Sequence, residues 1–305
     1  TPLMRETSCK QLPDGTEVRT SSPVPPQELA GQSLTIHGTL DETGEPVTGW
    51  GLPDARGGQL ERRLWLDILG MPPTTYRDLD RKVVKPLMNL LTFAVGKECP
   101  LVEMEISAGS DHPWVSVHHA GMKAAAEEIL PMPEILLPMS AIGLAGAATW
   151  LDATVSLGPL PSVVTRVVSA DDDTLEAQLL ELSTVAEGLH RLLIDPCKMT
   201  YAQRLESLAE QAKQAVPGAT GKTAEWVQRV KVARNDFAHK LEHGFLDEDH
   251  AEEWAALLVS LRWLLTGTLL LQTGISPAAL GSRIAAHQPY QMFLLQAPAW
   301  LPEVY

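Results

Sequence analysis

The feature that most constrains the fold is a leucine-rich segment after residue 170, DDDTLEAQLLELSTVAEGLHRLLIDP. Its apolar residues recur at helical spacing and predict one buried stripe, formed by Leu175, Leu179, Leu182, Ala186, Leu189 and Leu193. Asp173 with Glu176 predicts the N-cap, and Asp195-Pro196 predicts the end of this helix. A helix with one apolar stripe must pack against other elements.

Caps and breakers predict further helices downstream. The first begins at Thr200, where Gln203 completes a capping box, and ends at Val216-Pro217-Gly218. The second covers residues 223–243 and is closed by Gly244. The third begins at Asp249, with Glu252 in the capping-box position, and ends at Gly274, and a shorter helix begins at Ser276-Pro277. Four or five consecutive helices with short loops predict a bundle.

The first half of the chain has a different residue composition and a different hydrophobic pattern. Residues 1–32 are rich in Pro, Ser, Thr and Gly and predict an extended arm or an irregular edge. The segments SLTIHG, RLWLDIL, LVEMEIS and WVSVHH predict short strands between 33 and 120. A helix is predicted at 78–94, with Pro86 either kinking it or marking its first turn. The predicted fold class is α+β, with a mixed α/β domain over 1–170 and an all-α bundle over 171–305.

Composition bounds the function. With 45% apolar and 20% charged residues the chain should fold, and its formal net charge of −14 argues against a surface that is basic overall. Cys9, Cys99 and Cys197 form no Cys-x-x-Cys pair, so a reducing cytoplasm is the simplest location. The apolar run 255–272 carries Arg262 at its middle and predicts a buried helix rather than a membrane span; we expect no signal peptide and no membrane partner.

Two motifs have a plainer explanation than a ligand site. PGATGKT, residues 217–223, lacks the first glycine of a phosphate-binding loop and any preceding strand, so it predicts a turn between helices with Thr220 or Thr223 capping. The potential metal ligands His118, His119, His243, Asp247, Asp249 and His250 do not form a convincing set, and the acids among them suit a solvated helix cap. We therefore predict no metal and no cofactor.

The segment ARNDFAH, residues 233–239, is the strongest functional candidate. Residues 222–240 hold five cations, Lys222, Arg229, Lys231, Arg234 and Lys240, against two anions, Glu225 and Asp236. A polyanion could dock on this basic helix. Arg234 and His239 are separated by about 140° on an ideal helix, so spacing alone does not place them on one face. A surface cation and a histidine at the helix end would be the purely structural alternative.

Arg234, Asn235 and His239, late in a bundle helix and preceded by a Leu-rich helix with Glu-x-Leu-His at 187–190, resemble the signature of the HEPN ribonucleases. The surrounding texture, AEGLHRLLI, YAQRLESLAE, a Pro-Gly turn and WVQRVKVARNDFAHKL, is similar to the ApeA-type HEPN domain of prokaryotic antiphage proteins. The resemblance covers about 170–290, and residues 33–168 are loosely similar to the accompanying N-terminal domain. It implies a HEPN-like helical bundle.

The resemblance further implies a metal-independent endoribonuclease in antiphage defence or abortive infection. His239 would act as general acid or base, Arg234 would stabilise the phosphate and Asn235 would orient the histidine or contact the phosphate. Lys231, Lys240 and Arg229 would bind RNA. A homodimer would build a composite active site, the N-terminal half would sense or regulate, and a phage-derived or regulatory trigger is implied. The alternative is a non-catalytic HEPN-like module for dimerisation or for binding protein or RNA.

Overall fold

The computed structural model divides the chain into two compact units, Thr1–Thr74 with Ser107–Trp114, and Thr75–Ile106 with Val115–Tyr305. The residues it describes are 4–11, 17–24, 35–48, 56–69, 74–101, 103–107, 112–113, 115–118, 135–169, 174–239 and 250–305. For 4–69 and for positions 139, 238 and 239 the description covers the backbone alone.

The first unit contains a four-stranded sheet in the order β2-β1-β3-β4. Its strands are β1 Met4–Gln11, β2 Glu17–Val24, β3 Thr35–Thr48 and β4 Arg56–Leu69. β1 pairs antiparallel with β2 and β3 with β4, whereas β1 and β3 run parallel. Strands are confirmed at SLTIHG and RLWLDIL. Residues 1–32, predicted to be an extended arm or an irregular edge, contain two regular strands, β1 and β2, and β2 lies at the edge of the sheet.

The second unit is mostly helical and also holds a two-stranded antiparallel sheet. The helices are α1 Tyr76–Leu79, α2 Lys85–Val95, α3 Met139–Leu157, α4 Leu160–Ser169, α5 Leu175–Leu193, α6 Tyr201–Ala212, α7 Thr223–His239, α8 Ala251–Leu270, α9 Pro277–Ala286 and α10 Gln288–Trp300. A 3-10 turn, Leu271–Thr273, continues α8. The strands β5 Glu105–Ile106 and β6 Val115–Ser116 form the small sheet.

Pro86 occupies the first turn of α2, as one of the two predicted alternatives required. A π-helical turn, Asp80–Val84, joins α1 to α2, so the helical path runs from Tyr76 to Val95. The carbonyl of Pro86 accepts a 2.7 Å hydrogen bond from the Trp150 indole, which is fully buried in α3. Because the helical path is continuous here, Pro86 leaves it one N–H short, and the π-helical turn directly before α2 accommodates this residue.

Most predicted caps are confirmed within one residue. The capping box of Thr200 with Gln203 and the Ser276 cap are present. Thr174 rather than Asp173 caps α5, since the Thr174 side chain accepts a hydrogen bond from the N–H of Ala177. The N-cap position of α8 is His250, one residue after the predicted Asp249, which lies outside the described residues. Gly274 ends the 3-10 turn in the left-handed region.

The core of the second unit is built around α8, which packs against α2, α4, α5, α6, α7 and α10. Leu257, Leu261, Leu264 and Leu265 are fully buried. Within the described part of the chain, Ala251–Thr273 is the one helix long and apolar enough to cross a membrane, and 67% of its apolar window is buried in the protein. The apolar character of this helix is therefore explained by its position at the centre of the core, and the prediction of a buried helix at 255–272 is confirmed.

The compact second unit extends across the predicted boundary at residue 170. α2, α3 and α4 precede that boundary, yet they pack against α5 and α8 in the same unit. The unit begins at Thr75 instead. Helices α3 and α4 were not predicted. Pro138 is the N-cap residue of α3 and thus marks its start.

Candidate functional site

α7 carries the candidate residues between a buried face and an exposed face. Trp226, Val227, Val230 and Ala233 are buried, and the Trp226 indole donates a 2.7 Å hydrogen bond to the Ser260 hydroxyl of α8. The exposed face holds Gln228, Lys231, Val232 and Asn235. Arg234 lies between the two faces, so its side chain contacts neighbouring helices while part of it reaches solvent.

Arg234 contacts one residue on each of two neighbouring helices, α5 and α6. Its Nη2 lies 3.4 Å from Oε2 of Glu187 on α5, and its guanidinium carbon lies 4.5 Å from the ring centroid of Tyr201 on α6. The side chain is 30% exposed. Glu187 also accepts a 2.6 Å hydrogen bond from Arg191, so one carboxylate lies between two guanidinium groups. These contacts fix the direction of Arg234 without sealing it from solvent.

Tyr201 is placed by the start of α6. It follows the Thr200 capping box directly, so the cap that begins the helix also positions the ring beneath Arg234. Burial raises the pKa of Tyr201 to about 12, and the phenol is therefore neutral near pH 7. Tyr201 and Glu187 were not predicted to be partners of Arg234. They lie in the segments YAQRLESLAE and AEGLHRLLI, and no rule of sequence spacing connects residues on three different helices.

A second cluster, His190 with Arg204, joins α5 to α6 behind this site. His190 is 0% exposed and Arg204 is 2% exposed, and Nη1 of Arg204 lies 3.0 Å from Nδ1 of His190. Arg204 also donates hydrogen bonds to the carbonyls of Asp195 and Cys197 in the connecting loop. Burial, followed by the charge of Arg204, lowers the pKa of His190. This histidine of the Glu-x-Leu-His segment is therefore a neutral, structural group.

The predicted RNA-binding cations differ in their surroundings. Arg229 forms ion pairs with Glu303 and, at 3.3 Å, with Glu253. Its hydrogen bond to Glu303 is the main cause that raises the pKa of Arg229. Lys231 is exposed and forms no ion pair with the described residues. Lys240 lies outside the described residues. Lys231 is accordingly the better placed of the two described cations for a polyanion.

His239 is the last residue of α7, and its backbone alone is described. On ideal helical geometry, position 239 is rotated by about 40° from Asn235 and about 140° from Arg234. Near the end of the helix the ring of Phe237 lies 4.6 Å from that of Trp254 on α8. The ring of His250 also stacks on Trp254, with 5.8 Å between the ring centroids. The structure thus brings Arg234, Asn235 and position 239 onto one terminal stretch of helix.

The other candidate motifs do not form a ligand site in the described structure. PGATGKT lies in the turn between α6 and α7, as predicted, and Thr220 and Thr223 hydroxyls are 3.1 Å apart. The N–H of Lys222 donates to the carbonyl of Val304, and a Cβ at Gly221 would lie 2.4 Å from that oxygen. The described residues contain no group of three or more His, Cys, Asp or Glu side chains able to hold a metal; His119, His243, Asp247 and Asp249 lie outside them.

Comparison of the chain with models of known protein families, with curated proteins and with solved structures found no match. The Arg-Asn-x-x-x-His motif and the geometry around Arg234 are therefore the features of this chain that bear on its function.

Proposed function

We propose that the chain is a metal-independent endoribonuclease of the HEPN type, with Arg234, Asn235 and His239 at its active site. The observation that carries the proposal is the setting of Arg234: a guanidinium supported by Glu187 and Tyr201, partly open to solvent, and one residue before the exposed Asn235. A supported, accessible guanidinium is suited to bind a phosphate through charge-assisted hydrogen bonds.

In the proposed reaction the ribose 2′-oxygen attacks the adjacent phosphorus and the bond to the leaving 5′-oxygen breaks. A base removes the 2′-proton and an acid protonates the 5′-oxygen, so the products carry a 2′,3′-cyclic phosphate and a 5′-hydroxyl. His239 serves one of these proton transfers, since an ordinary histidine pKa near about 6.5 permits either role. Arg234 offsets the charge that develops on the phosphate oxygens.

The in-line geometry needs an acid and a base on opposite sides of the phosphorus, whereas one chain supplies a single His239. The proposal therefore includes a two-fold homodimer that brings two such helix ends into one cleft. Lys231 on the exposed face of α7, together with Arg229 and Lys240, would contribute to RNA binding. A role in antiphage defence or abortive infection, with a regulatory N-terminal part, is proposed on the resemblance alone.

One observation favours a second candidate function. Arg234 already has an internal carboxylate partner, Glu187, and an aromatic support, so it could serve solely to join α5, α6 and α7. In that case the protein is a non-catalytic helical module that dimerises or binds a protein or RNA partner. The two candidates differ in whether Arg234 contributes to a chemical step in addition to stability.

The deciding experiment incubates the full chain with mixed-sequence single-stranded RNA in EDTA and identifies the product ends. We expect wild-type protein to produce cyclic-phosphate and 5′-hydroxyl ends. The variants Arg234→Ala and His239→Ala should lose this activity, whereas Arg283→Ala, an exposed arginine of α9, should retain it. A substrate with deoxyribose at every position should stay intact, because it lacks the attacking hydroxyl.

Equal cleavage by wild type and all three variants would show that a contaminating nuclease cuts the RNA. Arg234 and His239 would then no longer be assigned to an active site. If no RNA is cut, with or without phage lysate as a source of trigger, while the protein still forms a dimer or binds RNA, the non-catalytic module becomes the better description. Thermal unfolding of each variant, measured in parallel, separates a lost active-site group from a lost fold.

A further inference from the structure

A cavity of about 340 Å³ lies in the second unit between α2, α8 and α10, and none of the residues of the Arg234 cluster lines it. Its apolar wall includes Phe93, Leu136, Val168, Trp263 and Met292. Pockets that bind small organic molecules have volumes of roughly 300–1,000 Å³, with mainly apolar walls and few polar groups. The size and lining of this cavity match that class of site.

Arg262 gives the cavity a positive charge at its wall. Among the described residues it forms no hydrogen bond or ion pair, and burial alone lowers the pKa of this arginine. An arginine keeps its proton in proteins, so the charge is retained at the cost of desolvation. Arg262 is partly exposed, and a partly desolvated charge is stabilised by an opposite charge with good geometry, which an anion in the cavity would supply.

The other polar groups of the described lining add one more cation and no negative charge. Lys97 and Gln288 line it, and no acidic side chain is among the described lining residues. The 13-residue helix α10 begins at Gln288, so the positive end of its dipole meets this wall. His287, the N-cap residue of α10, is 5% exposed and its Nδ1 is buried without a partner among the described residues.

We propose that this cavity is a binding site for a small organic anion, with an acidic carboxylate or phosphate group against Arg262 and an aliphatic or aromatic body against Trp263 and Phe93. The proposal does not depend on ribonuclease activity, because it uses different residues and a different cavity wall. It assigns Arg262 a function that explains a guanidinium in the middle of the central apolar helix.

The test measures thermal unfolding of the full chain with benzoate, phenyl phosphate and benzamide. Benzamide has the shape of benzoate without its charge, so it isolates the contribution of the acid. We expect at least one acid to raise the wild-type melting temperature by about 3 to 5 °C at about ten times its Kd, with benzamide much weaker. Which acid binds better distinguishes a carboxylate ligand from a phosphate ligand.

In Arg262→Met, which keeps an apolar chain of similar length, the shift caused by the acid should disappear. Arg283→Met, an exposed arginine of α9, is the matched control and should keep the full shift. Met292→Trp, placed at the partly exposed rim of the cavity, should reduce binding with the charge of Arg262 intact. The proposal is overturned if neither acid stabilises wild type, if benzamide equals benzoate, or if Arg262→Met responds as wild type does.

Discussion

The guanidinium of Arg234 stacks over the ring of Tyr201, with 4.5 Å between the guanidinium carbon and the ring centroid. The two residues are 33 positions apart and belong to α7 and α6, so only packing of the bundle brings them together. Glu187 completes the contact from α5. Three helices thus converge on the arginine that the motif singled out, and its orientation is a property of the whole bundle.

The first prediction concerns this stacking contact. Tyr201→Leu removes the aromatic face, so we expect a loss of stability that includes about 0.5–2 kcal/mol of cation–π coupling to Arg234. Tyr201→Phe keeps the ring and serves as the control. Urea unfolding of Tyr201→Leu, Arg234→Met and the double variant gives the coupling energy. A coupling energy of zero would show that the contact between Tyr201 and Arg234 contributes nothing to the free energy of unfolding.

A second prediction separates the described cations of α7. Lys231→Met should weaken RNA binding for all sequences alike and reduce the salt slope of log K by about one unit, because it removes one phosphate contact. Arg229→Met should have a smaller effect, since Glu253 and Glu303 already neutralise that charge. Fluorescence anisotropy at several salt concentrations checks both. The opposite ranking would mean that Arg229 exchanges its carboxylates for phosphate.

Arg204 should be the most costly arginine to remove. Arg204→Ala deletes hydrogen bonds to His190 and to two loop carbonyls inside the protein, and we expect a loss of about 3 kcal/mol or more. Arg204→Lys cannot form the same fork and should recover only part of the loss. Chemical denaturation measures both variants, with Arg283→Ala as the exposed control. A loss below about 1 kcal/mol would contradict a structural network here.

Stability should fall as the pH drops below about 6.5, the ordinary pKa of an unfolded histidine. Burial lowers the pKa of His190 and of His287 in the folded protein, so the unfolded chain binds protons first. The loss continues until the pH passes the lowered folded pKa values and then levels off. Each histidine contributes at most about 1.4 kcal/mol per pH unit.

The check for this pH dependence is the free energy of unfolding measured between pH 7.5 and 5 for wild type, His190→Gln and the matched variant His112→Gln, which changes an exposed histidine. His190→Gln should show a shallower decline, because glutamine can still accept from Arg204 but does not titrate. If its slope equals that of wild type, His190 contributes nothing to the decline.

The last prediction tests a close helix approach. A Cβ at Gly281 of α9 would lie 2.1 Å from the carbonyl oxygen of Gln214, a backbone atom. Gly281→Ala should therefore destabilise the protein by about 1–3 kcal/mol, although helix propensity alone favours alanine by up to about 1 kcal/mol. Ser282→Ala, at an exposed neighbouring position, should change stability little. Thermal unfolding of both variants decides which effect dominates.

Local chemistry explains the parts of the fold that were predictable. The capping box at Thr200, the Ser276 cap and the turn at PGATGKT depend on residues within a few positions of one another, and all three are confirmed. The stripe of α5 is also local, because helical spacing places Leu179, Leu182 and Leu189 on one face before any partner is known.

The errors share a different cause. α3 and α4 were not predicted, and their stability comes from burial against α2 and α5. The boundary predicted at residue 170 followed the change of sequence pattern there, whereas the compact unit defined by contacts begins at Thr75. Residues 1–32 contain β1 and β2, which pair with each other, and β1 also pairs with β3 farther along the chain. Pairing and packing between distant segments leave little trace in local composition.

The amino-acid sequence alone determined the helices α5 to α9, the caps at Thr200 and Ser276, and the position of Arg234, Asn235 and His239 late in a basic helix, because these depend on short-range spacing. The separate helix α10 was not predicted. Tertiary structure decided which groups surround Arg234, which cations are already neutralised and that Arg262 faces a cavity. These features depend on side chains that come within a few ångströms of one another only when separate helices pack. No single segment of the sequence contains both partners of such a contact.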